Sequence, residues 1–135
     1  FYPEFYRRFH NVNCLTWVKD RIGLGSPYRH QTEFVIAGRW TGSYFVDDGS
    51  ARSDVLHHPS VPSKERRHPV DKPVSLLAEL IEPVIPPGGT VLDPFMGGGS
   101  TVAAACALDY RAIGVERDPV YFRLAQRGIP KLSRL

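Results

Sequence analysis

Three consecutive glycines follow an acidic residue in the stretch TVLDPFMGGGSTVAAACAL, which begins at Thr90. An apolar run ends at Asp93, and glycines 97–99 then lead into an alanine-rich segment. Glycines between a strand and a helix permit positive φ and lack Cβ atoms, so the backbone can approach a ligand closely. A second acid, Glu116, lies 19 positions after Gly97. At that separation a carboxylate can accept both hydroxyls of an adenosine ribose. These residues predict a site for an adenosine-containing cofactor.

The same stretch narrows the choice of cofactor. Ser100 follows the last glycine, where a triphosphate-binding P-loop needs lysine, and Val102 stands where the dinucleotide fingerprint has its third glycine. Asp93 at the mouth of the turn disfavours an anionic ligand such as a pyrophosphate. S-adenosylmethionine carries a sulfonium and an ammonium group, which a carboxylate stabilises, and it is therefore the predicted cofactor.

The elements that position this site are predicted from hydrophobic periodicity. Residues 1–40 contain a helix in FYPEFYRRFH and two paired strands, NCLTWVK and TEFVIAG, joined by the loop DRIGLGSPYRHQ. The strands are predicted to be antiparallel. Residues 41–67 are polar and Pro-rich, which indicates a loop or a short insertion. Residues 68–135 form the cofactor-binding half of what we interpret as a single, partial domain.

The cofactor-binding half alternates helices and strands. A helix from Val74 to Glu82 precedes the strand TVLD, a second helix through Leu108 follows the glycines, and the strand RAIGVE precedes a final helix, DPVYFRLAQRGI. We expect Ser100 or Thr101 to cap the second helix and Asp118 to cap the last. Cys106 is expected in the core. This order predicts an α/β fold with a parallel sheet that has helices on both faces and is incomplete in this chain.

Composition sets outer limits on these interpretations. The chain has 135 residues, so it holds one domain at most or part of one, with 42% hydrophobic and 23% charged residues. Its net charge of +3 permits nucleic acid as a partner without requiring it. Two distant cysteines, no signal peptide and no membrane-spanning run favour a reducing cytoplasm. His57, His58 and His68 lack a cysteine or acid that would complete a metal site, so none is predicted.

Three segments together carry a family resemblance. DPFMGGGST resembles the cofactor loop of DNA methyltransferases that modify exocyclic amines, written D-P-F-x-G-x-G-T/S-T, and HPVDKPVSLLAELI resembles the segment before it in their β class. AIGVERDPVYFRLAQRGI resembles the second cofactor strand and its helix. LTWVKDRIGLGSPYRHQTEFVIAGR resembles the paired strands and DNA-facing loop of the same class. The resemblance implies an S-adenosylmethionine-dependent enzyme of bacterial or phage origin, as in restriction–modification systems.

The resemblance also implies roles for matching residues. One group would shape the pocket around the methionine and ribose of the cofactor or cap the neighbouring helix: Asp93, Phe95, Gly97, Gly99, Ser100 and Thr101. Glu116 would hold the ribose hydroxyls. His68, Lys72 and Pro73 would line the methionine carboxylate end, where Lys72 is either the counter-ion or a solvated surface lysine.

The family reaction requires one motif that this sequence lacks. These enzymes flip the target base out of the duplex, and a D/N/S-P-P-Y/F/W motif activates the adenine N6 or cytosine N4 amine for direct attack on the methyl group. The only Pro-Pro pair, Pro86-Pro87, lies between Ile85 and Gly88. Neither cysteine follows a proline, which disfavours cytosine C5 chemistry. In the β class the motif precedes every segment present here, so the chain is interpreted as a C-terminal portion, inactive alone.

Double-stranded DNA is the predicted partner, contacted by two clusters of side chains. Arg21, Tyr28, Arg29 and His30 belong to the loop between the paired strands, and Lys64, Arg66 and Arg67 belong to the presumed target-recognition segment. Each side chain alone is more simply a solvated charge, so the prediction rests on the clusters. Two alternative functions stay open: a non-catalytic S-adenosylmethionine-binding module, and a nicotinamide-dependent oxidoreductase fragment.

Overall fold

A computed structural model describes residues 2–46, 51–66 and 68–134 of the chain. The chain divides into two compact units, Phe1–Pro59 and Ser60–Leu135. This division falls inside the segment predicted for target recognition. None of the described helices is long and apolar enough to cross a membrane.

The first unit is built on an antiparallel pair of strands. Helix α1 (Tyr2–Arg8) precedes strand β1 (His10–Val18), which pairs with β2 (Thr32–Arg39). The alternation of apolar and polar residues favours half-buried strands, and the predicted helix and antiparallel pair are confirmed. Trp17 is the most buried side chain of β1, and its indole nitrogen donates to the carbonyl of His58 at 2.8 Å.

Part of the 41–67 segment forms regular structure, which the sequence did not predict. Strand β3 (Val55–His57) pairs parallel to β1, with Val55 opposite Thr16, and Leu56 is buried. Residues Ser63–Glu65 form one 3₁₀ turn. The prediction of a loop or insertion is therefore wrong for β3, because a three-residue strand shows no periodicity and forms only when β1 supplies its hydrogen bonds.

The second unit alternates helices and strands as predicted. Its elements are α2 (Val74–Ile81), β4 (Thr90–Asp93), α3 (Ser100–Ala107), β5 (Arg111–Gly114) and α4 (Pro119–Leu132). Strands β4 and β5 are parallel, with Asp93 opposite Gly114. The predicted boundaries extend too far by one residue for α2 and α3 and by two for β5, which ends before Glu116.

Small side chains allow α3 to lie close to the sheet. Ala103, Ala104 and Ala105 are fully buried, and Ala104 and Ala105 cluster with Ile81 and Val91. Cys106 is exposed, so its prediction as a core residue is wrong. The run AAAC carries no periodicity that distinguishes its faces, and only packing decides which of its residues is buried.

The helix caps differ from the prediction at α3 and agree with it at α4. Neither Ser100 nor Thr101 caps α3, because Gly99, in the left-handed conformation, occupies the N-cap position and the helix begins at Ser100. Asp118 caps α4 as predicted: its carboxylate accepts from the backbone N–H groups of Val120 at 2.7 Å and Tyr121 at 3.4 Å.

One face of the β4–β5 pair is uncovered, and among the described residues neither strand has a second partner. Leu92 is 63% exposed and Ile113 is 55% exposed, on the face opposite to the buried Val91. In the described parts of the chain, β4 pairs with β5 alone. A parallel sheet is normally covered on both faces and continued by further strands. The sheet is therefore partial, as the sequence predicted.

We expect two glycine substitutions to separate backbone strain from steric overlap. Gly88 (φ +72°) and Gly99 (φ +84°) both have positive φ, but a Cβ on Gly88 meets nothing within 4 Å, whereas one on Gly99 would lie 2.8 Å from Ile129 Cγ1. Gly88→Ala should lower the free energy of unfolding by about 1 kcal/mol through strain alone. Gly99→Ala should lower it by about 2–4 kcal/mol, because overpacking adds to that strain.

Urea unfolding followed by far-ultraviolet circular dichroism, at low micromolar protein concentration, measures both changes. Equal losses in the two variants would show that steric overlap between a Cβ at position 99 and Ile129 does not lower stability.

Candidate functional site

The site is built where the parallel strands β4 and β5 end. The two short apolar strands are in register, so their carboxyl ends lie at one edge of the sheet. Each strand is followed by a loop, one leading to α3 and the other to α4. Beyond the strands the two loops remain linked, because Val115 N donates to Asp93 O at 2.8 Å and Met96 N donates to Val115 O at 2.9 Å. Residues 93–99 and 114–118 therefore form one hydrogen-bonded surface.

Glu116 fixes the glycine loop to the segment that precedes α4. Its Oε2 accepts from Gly97 N at 2.9 Å, and its Oε1 accepts from Asp118 N at 2.8 Å. The carboxylate is half-buried, where hydrogen bonds to a charged acceptor are stronger than those between neutral groups. The structure thus joins the two residues whose spacing predicted the site, and it shows a direct contact that the spacing did not specify.

The glycine loop is tight and buried. Asp93 Oδ1 accepts from Phe95 N at 3.0 Å, and Gly99 N donates to Met96 O at 2.8 Å. Gly97 has a φ of +50°, which side chains rarely adopt. Glycines 97–99 are buried, whereas the ring of Phe95 is exposed beside them.

A second layer of residues supports the loop from the segment before α2. The ring of His68 lies edge-on to Tyr121 with centroids 4.2 Å apart, and a Cβ on Gly97 would stand 3.5 Å from the His68 ring. Asp71 Oδ2 accepts from His68 N at 3.1 Å, and a Cβ on Gly98 would overlap Asp71 Oδ1. His68 therefore lies beside the loop, in the vicinity that the family resemblance implied.

The other two residues assigned to this segment differ in their contacts. Lys72 is half-buried and its Nζ donates to Val70 O at 3.2 Å. Pro73 is buried at the N-cap of α2. Both are near His68 in sequence.

Sequence reasoning missed three residues that shape the site. Asp71 and Tyr121 hold His68 in place, and Gly114 allows close packing because a Cβ there would overlap Met96 Sδ. Gly114 ends a strand that was predicted to continue, so a glycine inside the pattern was the available signal of a close approach. No pattern signalled Asp71 or Tyr121, whose roles depend on contacts between distant segments.

The side chains predicted to contact DNA lie in both units. Arg21 pairs with Asp20 at 2.9 Å, and Arg29 Nε donates to Gly23 O at 2.7 Å. The remaining members of that cluster, Tyr28 and His30, are exposed on the same loop. Lys64 and Arg66 belong to the second unit and are exposed, and Arg67 lies outside the described residues.

The electrostatics of the site favour a cation or a polyol over a phosphate. Asp93 and Glu116 place two carboxylates at the ends of adjacent strands. A phosphate at this edge would be repelled by both. A carboxylate has about four acceptor positions, and two of those on Glu116 are used by Gly97 N and Asp118 N. The remaining positions suit a pair of hydroxyl donors.

Solved structures of DNA methyltransferases share this fold. The crystal structure of M1.HpyAVI in complex with SAM is 25% identical and superposes with a TM-score of 0.72 over 85% of this chain and 60% of that one. The cytosine-N4-specific PvuII DNA methyltransferase is 17% identical, with a TM-score of 0.67 over 90% of this chain and 55% of that one. The predicted fold class is thereby confirmed: the architecture is that of the S-adenosylmethionine-dependent DNA methyltransferases.

Sequence comparison extends the likeness from fold to family. Residues 16–127 match the family N6_N4_Mtase, described as DNA methylase. Type II methyltransferase M2.MboI of Moraxella bovis is 34% identical over 93% of this chain and 52% of its own length. The putative methylase YubD of Escherichia coli K12 is 43% identical over 53% of this chain and 32% of its own. The chain belongs to the N6/N4 DNA methylase family. It spans about half the length of M2.MboI and about a third of the length of YubD.

We expect the N-cap of α4 to contribute measurably to the stability of the site. Asp118→Ala removes the acceptor for Val120 N and Tyr121 N and should lower the free energy of unfolding by about 1 kcal/mol. Asp118→Asn should retain most of the stability, since asparagine caps equally well. Urea unfolding of the three proteins measures the difference, and an equal loss in both variants would contradict a capping role.

Proposed function

We propose that this chain is the cofactor-binding portion of a DNA methyltransferase that transfers a methyl group from S-adenosylmethionine to the exocyclic amine of adenine (N6) or cytosine (N4). The observation that carries the proposal is the junction between Glu116 and the glycine loop. It supplies a preformed backbone surface with a carboxylate at its edge, in a chain of the N6/N4 DNA methylase family.

The residues at this edge fit the chemistry of S-adenosylmethionine. Glu116 keeps acceptor positions for the two ribose hydroxyls while its N–H partners hold it in place. Asp93, at the end of β4, supplies a negative charge that favours the sulfonium and ammonium groups of the cofactor. Gly97 and Gly99 shape the loop, and the exposed ring of Phe95 offers an apolar surface beside it.

Two further residue groups complete the proposed cofactor site. His68, Lys72 and Pro73 line the methionine end, where Lys72 offers the positive charge for the carboxylate. Ser100 and Thr101, which do not cap α3 with their side chains, lie in its first turn beside the loop. When bound, the cofactor supplies the electrophilic methyl group, and this chain positions it and excludes water from the buried side of the loop.

The residues that activate the amine are proposed to lie outside these 135 residues. The sequence contains no D/N/S-P-P-Y/F/W motif, and β4 has no partner on its second edge among the described residues. Leu92 and Ile113 also expose an apolar face that the rest of the sheet and its helices would cover. The open edge and the absent motif both fit a missing neighbouring strand that ends in the catalytic residues.

The alternatives are separated by the same observations. Membership of the DNA methylase family removes the nicotinamide-dependent oxidoreductase. The non-catalytic module would have no catalytic segment with the D/N/S-P-P-Y/F/W motif, whereas the methyltransferase requires one. Adenine N6 and cytosine N4 both stay open as targets, because the residues that contact the base are not among those placed at the site.

Completion of the sheet gives the decisive test. The isolated 135-residue chain should aggregate on concentration, since an open strand edge promotes association, and it should transfer no methyl group. A form extended at its N-terminus by the preceding coding sequence, with the D/N/S-P-P-Y/F/W motif, should stay monodisperse and methylate DNA. Gel filtration and transfer of a radiolabelled methyl group to duplex DNA measure the two properties.

A matched control separates folding from chemistry. Replacing the first residue of that motif by alanine in the extended protein should preserve solubility and abolish transfer. Robust transfer by the isolated chain would show that the catalytic residues are within the 135 residues and that their assignment here is wrong.

The cofactor assignment is tested on the extended protein by calorimetric titration with S-adenosylmethionine. Glu116→Ala should weaken binding by about 1–3 kcal/mol, the cost of removing a charged hydrogen-bond partner. Glu82→Ala, an exposed acid at the end of α2 in the same unit, is the matched control and should leave affinity unchanged. Unaltered affinity in the Glu116 variant would overturn the assignment of the ribose contact.

A further inference from the structure

Helix α4 carries a line of cationic side chains along its outer face. Arg123, Arg127 and Lys131 are spaced four residues apart, and all three are exposed. Residues at this spacing lie on the same side of a helix, about 6 Å apart along its axis. We refer to these three residues as the α4 stripe.

The opposite face of α4 is used for packing, which directs the stripe toward solvent. Ala125 and Gly128 are buried, and Ala125 and Ile129 lie against Gly99 at the N-cap of α3. The helix cannot turn its cations inward without losing these contacts. Because its apolar side is covered by protein, α4 cannot insert into a lipid surface as a free amphipathic helix does.

No acidic side chain of the helix balances the stripe. Helix α4 contains no Asp or Glu, and among the residues that the structure describes none of the three cations forms an ion pair. The chain has 17 Lys and Arg residues and 14 Asp and Glu residues, a difference of three. Outside α4, cations and acids are therefore equal in number, and α4 holds the excess of positive charge.

The stability of the helix does not account for the stripe. Like charges four residues apart repel one another and destabilise a helix. The helix dipole favours a cation in the last turn, such as Lys131, but it does not favour Arg123 in the second turn. An anionic partner on this face would relieve the repulsion.

The arrangement of the stripe indicates a partner whose anionic groups form a row. Two of its three residues are arginines, whose guanidinium groups bind phosphate through paired hydrogen bonds. Each strand of duplex DNA presents its phosphates in a regular line. An acidic protein surface has no such fixed repeat, so duplex DNA fits the stripe better.

The stripe lies apart from the cofactor edge of the same unit. Helix α4 begins at that edge, where Asp118 N donates to Glu116 Oε1 at 2.8 Å. Lys131 follows Asp118 by about 20 Å along the helix axis. A duplex bound along the stripe would therefore extend beyond the place where the methyl group is transferred.

We propose that the α4 stripe binds the phosphates of duplex DNA outside the reaction site, as a second and sequence-independent contact of the methyltransferase. Contacts to phosphates orient a protein on the duplex without reading its sequence, and they let the protein slide along it. The stripe would thus retain the duplex between encounters with target bases. This inference rests on the proposed function, from which DNA comes as the partner.

The salt dependence of DNA affinity in the extended protein tests the stripe. The double variant Arg123→Gln, Arg127→Gln removes two phosphate contacts and should reduce the log–log slope of affinity against salt concentration by about two, since each contact contributes roughly 0.9. The reduction should be equal on duplexes of unrelated sequence. Arg123→Lys, Arg127→Lys should keep the slope, because the charges remain. Fluorescence anisotropy at several salt concentrations measures the slope.

The matched control is Arg7→Gln, Arg8→Gln, which removes the same charge from exposed arginines of α1 that pair with Glu4. It should keep the slope of the parent protein. The α4 double variant should also bind S-adenosylmethionine as tightly as the parent in calorimetric titration, because the stripe does not touch the cofactor edge. Weakened cofactor binding would contradict the separation of the two surfaces.

The outcomes distinguish the stripe from the proposed function. An unchanged slope in the α4 double variant, or an equal reduction in the α1 control, overturns the stripe as a DNA contact and leaves the proposed function intact. The stripe then faces solvent or an acidic protein. A parent protein that binds no duplex DNA overturns both.

Discussion

The carboxylate of Glu116 fixes the two loops of the second unit that follow β4 and β5. Glu116 lies two residues beyond β5, where it accepts one hydrogen bond from the glycine loop after β4 and another from the segment that enters α4. The parallel register, with Asp93 opposite Gly114, brings it there. A single side chain thereby joins two loops that are distant in sequence. A ligand meets a backbone that is already ordered, so binding energy is not spent on forming the loop.

The absence of side-chain volume is the second constraint, and it acts on the same loops. Gly98 lies against Asp71, Gly99 against α4, and Gly114 against Met96, at distances that no Cβ would permit. The inner side of the loop is consequently closed by protein. On the β4–β5 pair itself, the face that carries Leu92 and Ile113 is uncovered.

The sequence by itself determined the types of the principal elements and the acidic, glycine-rich character of the edge at which β4 and β5 end. Glycines 97–99, the acid that ends β4 and the acid 19 positions after Gly97 form a local pattern. Their meaning follows from backbone geometry and charge, which neighbouring residues fix. The antiparallel pair in the first unit and the parallel β4–β5 pair follow from hydrophobic periodicity for the same reason. The family likewise could be recognised from short motifs and their order, because each motif carries its own chemistry.

Only the tertiary structure decided which residues support that pattern. Strand β3 forms because β1 offers it an edge for pairing. Three residues are too few to show a hydrophobic periodicity in the sequence. Gly99 instead of Ser100 or Thr101 holds the N-cap of α3, because packing against Ile129 and Ala125 leaves room for no side chain there. Asp71 supports the loop through its close approach to Gly98, which is distant from it in sequence. Secondary-structure propensity and motif spacing depend on residues that are close in the sequence. Strand pairing, steric exclusion of side chains and burial depend on residues that are close in space.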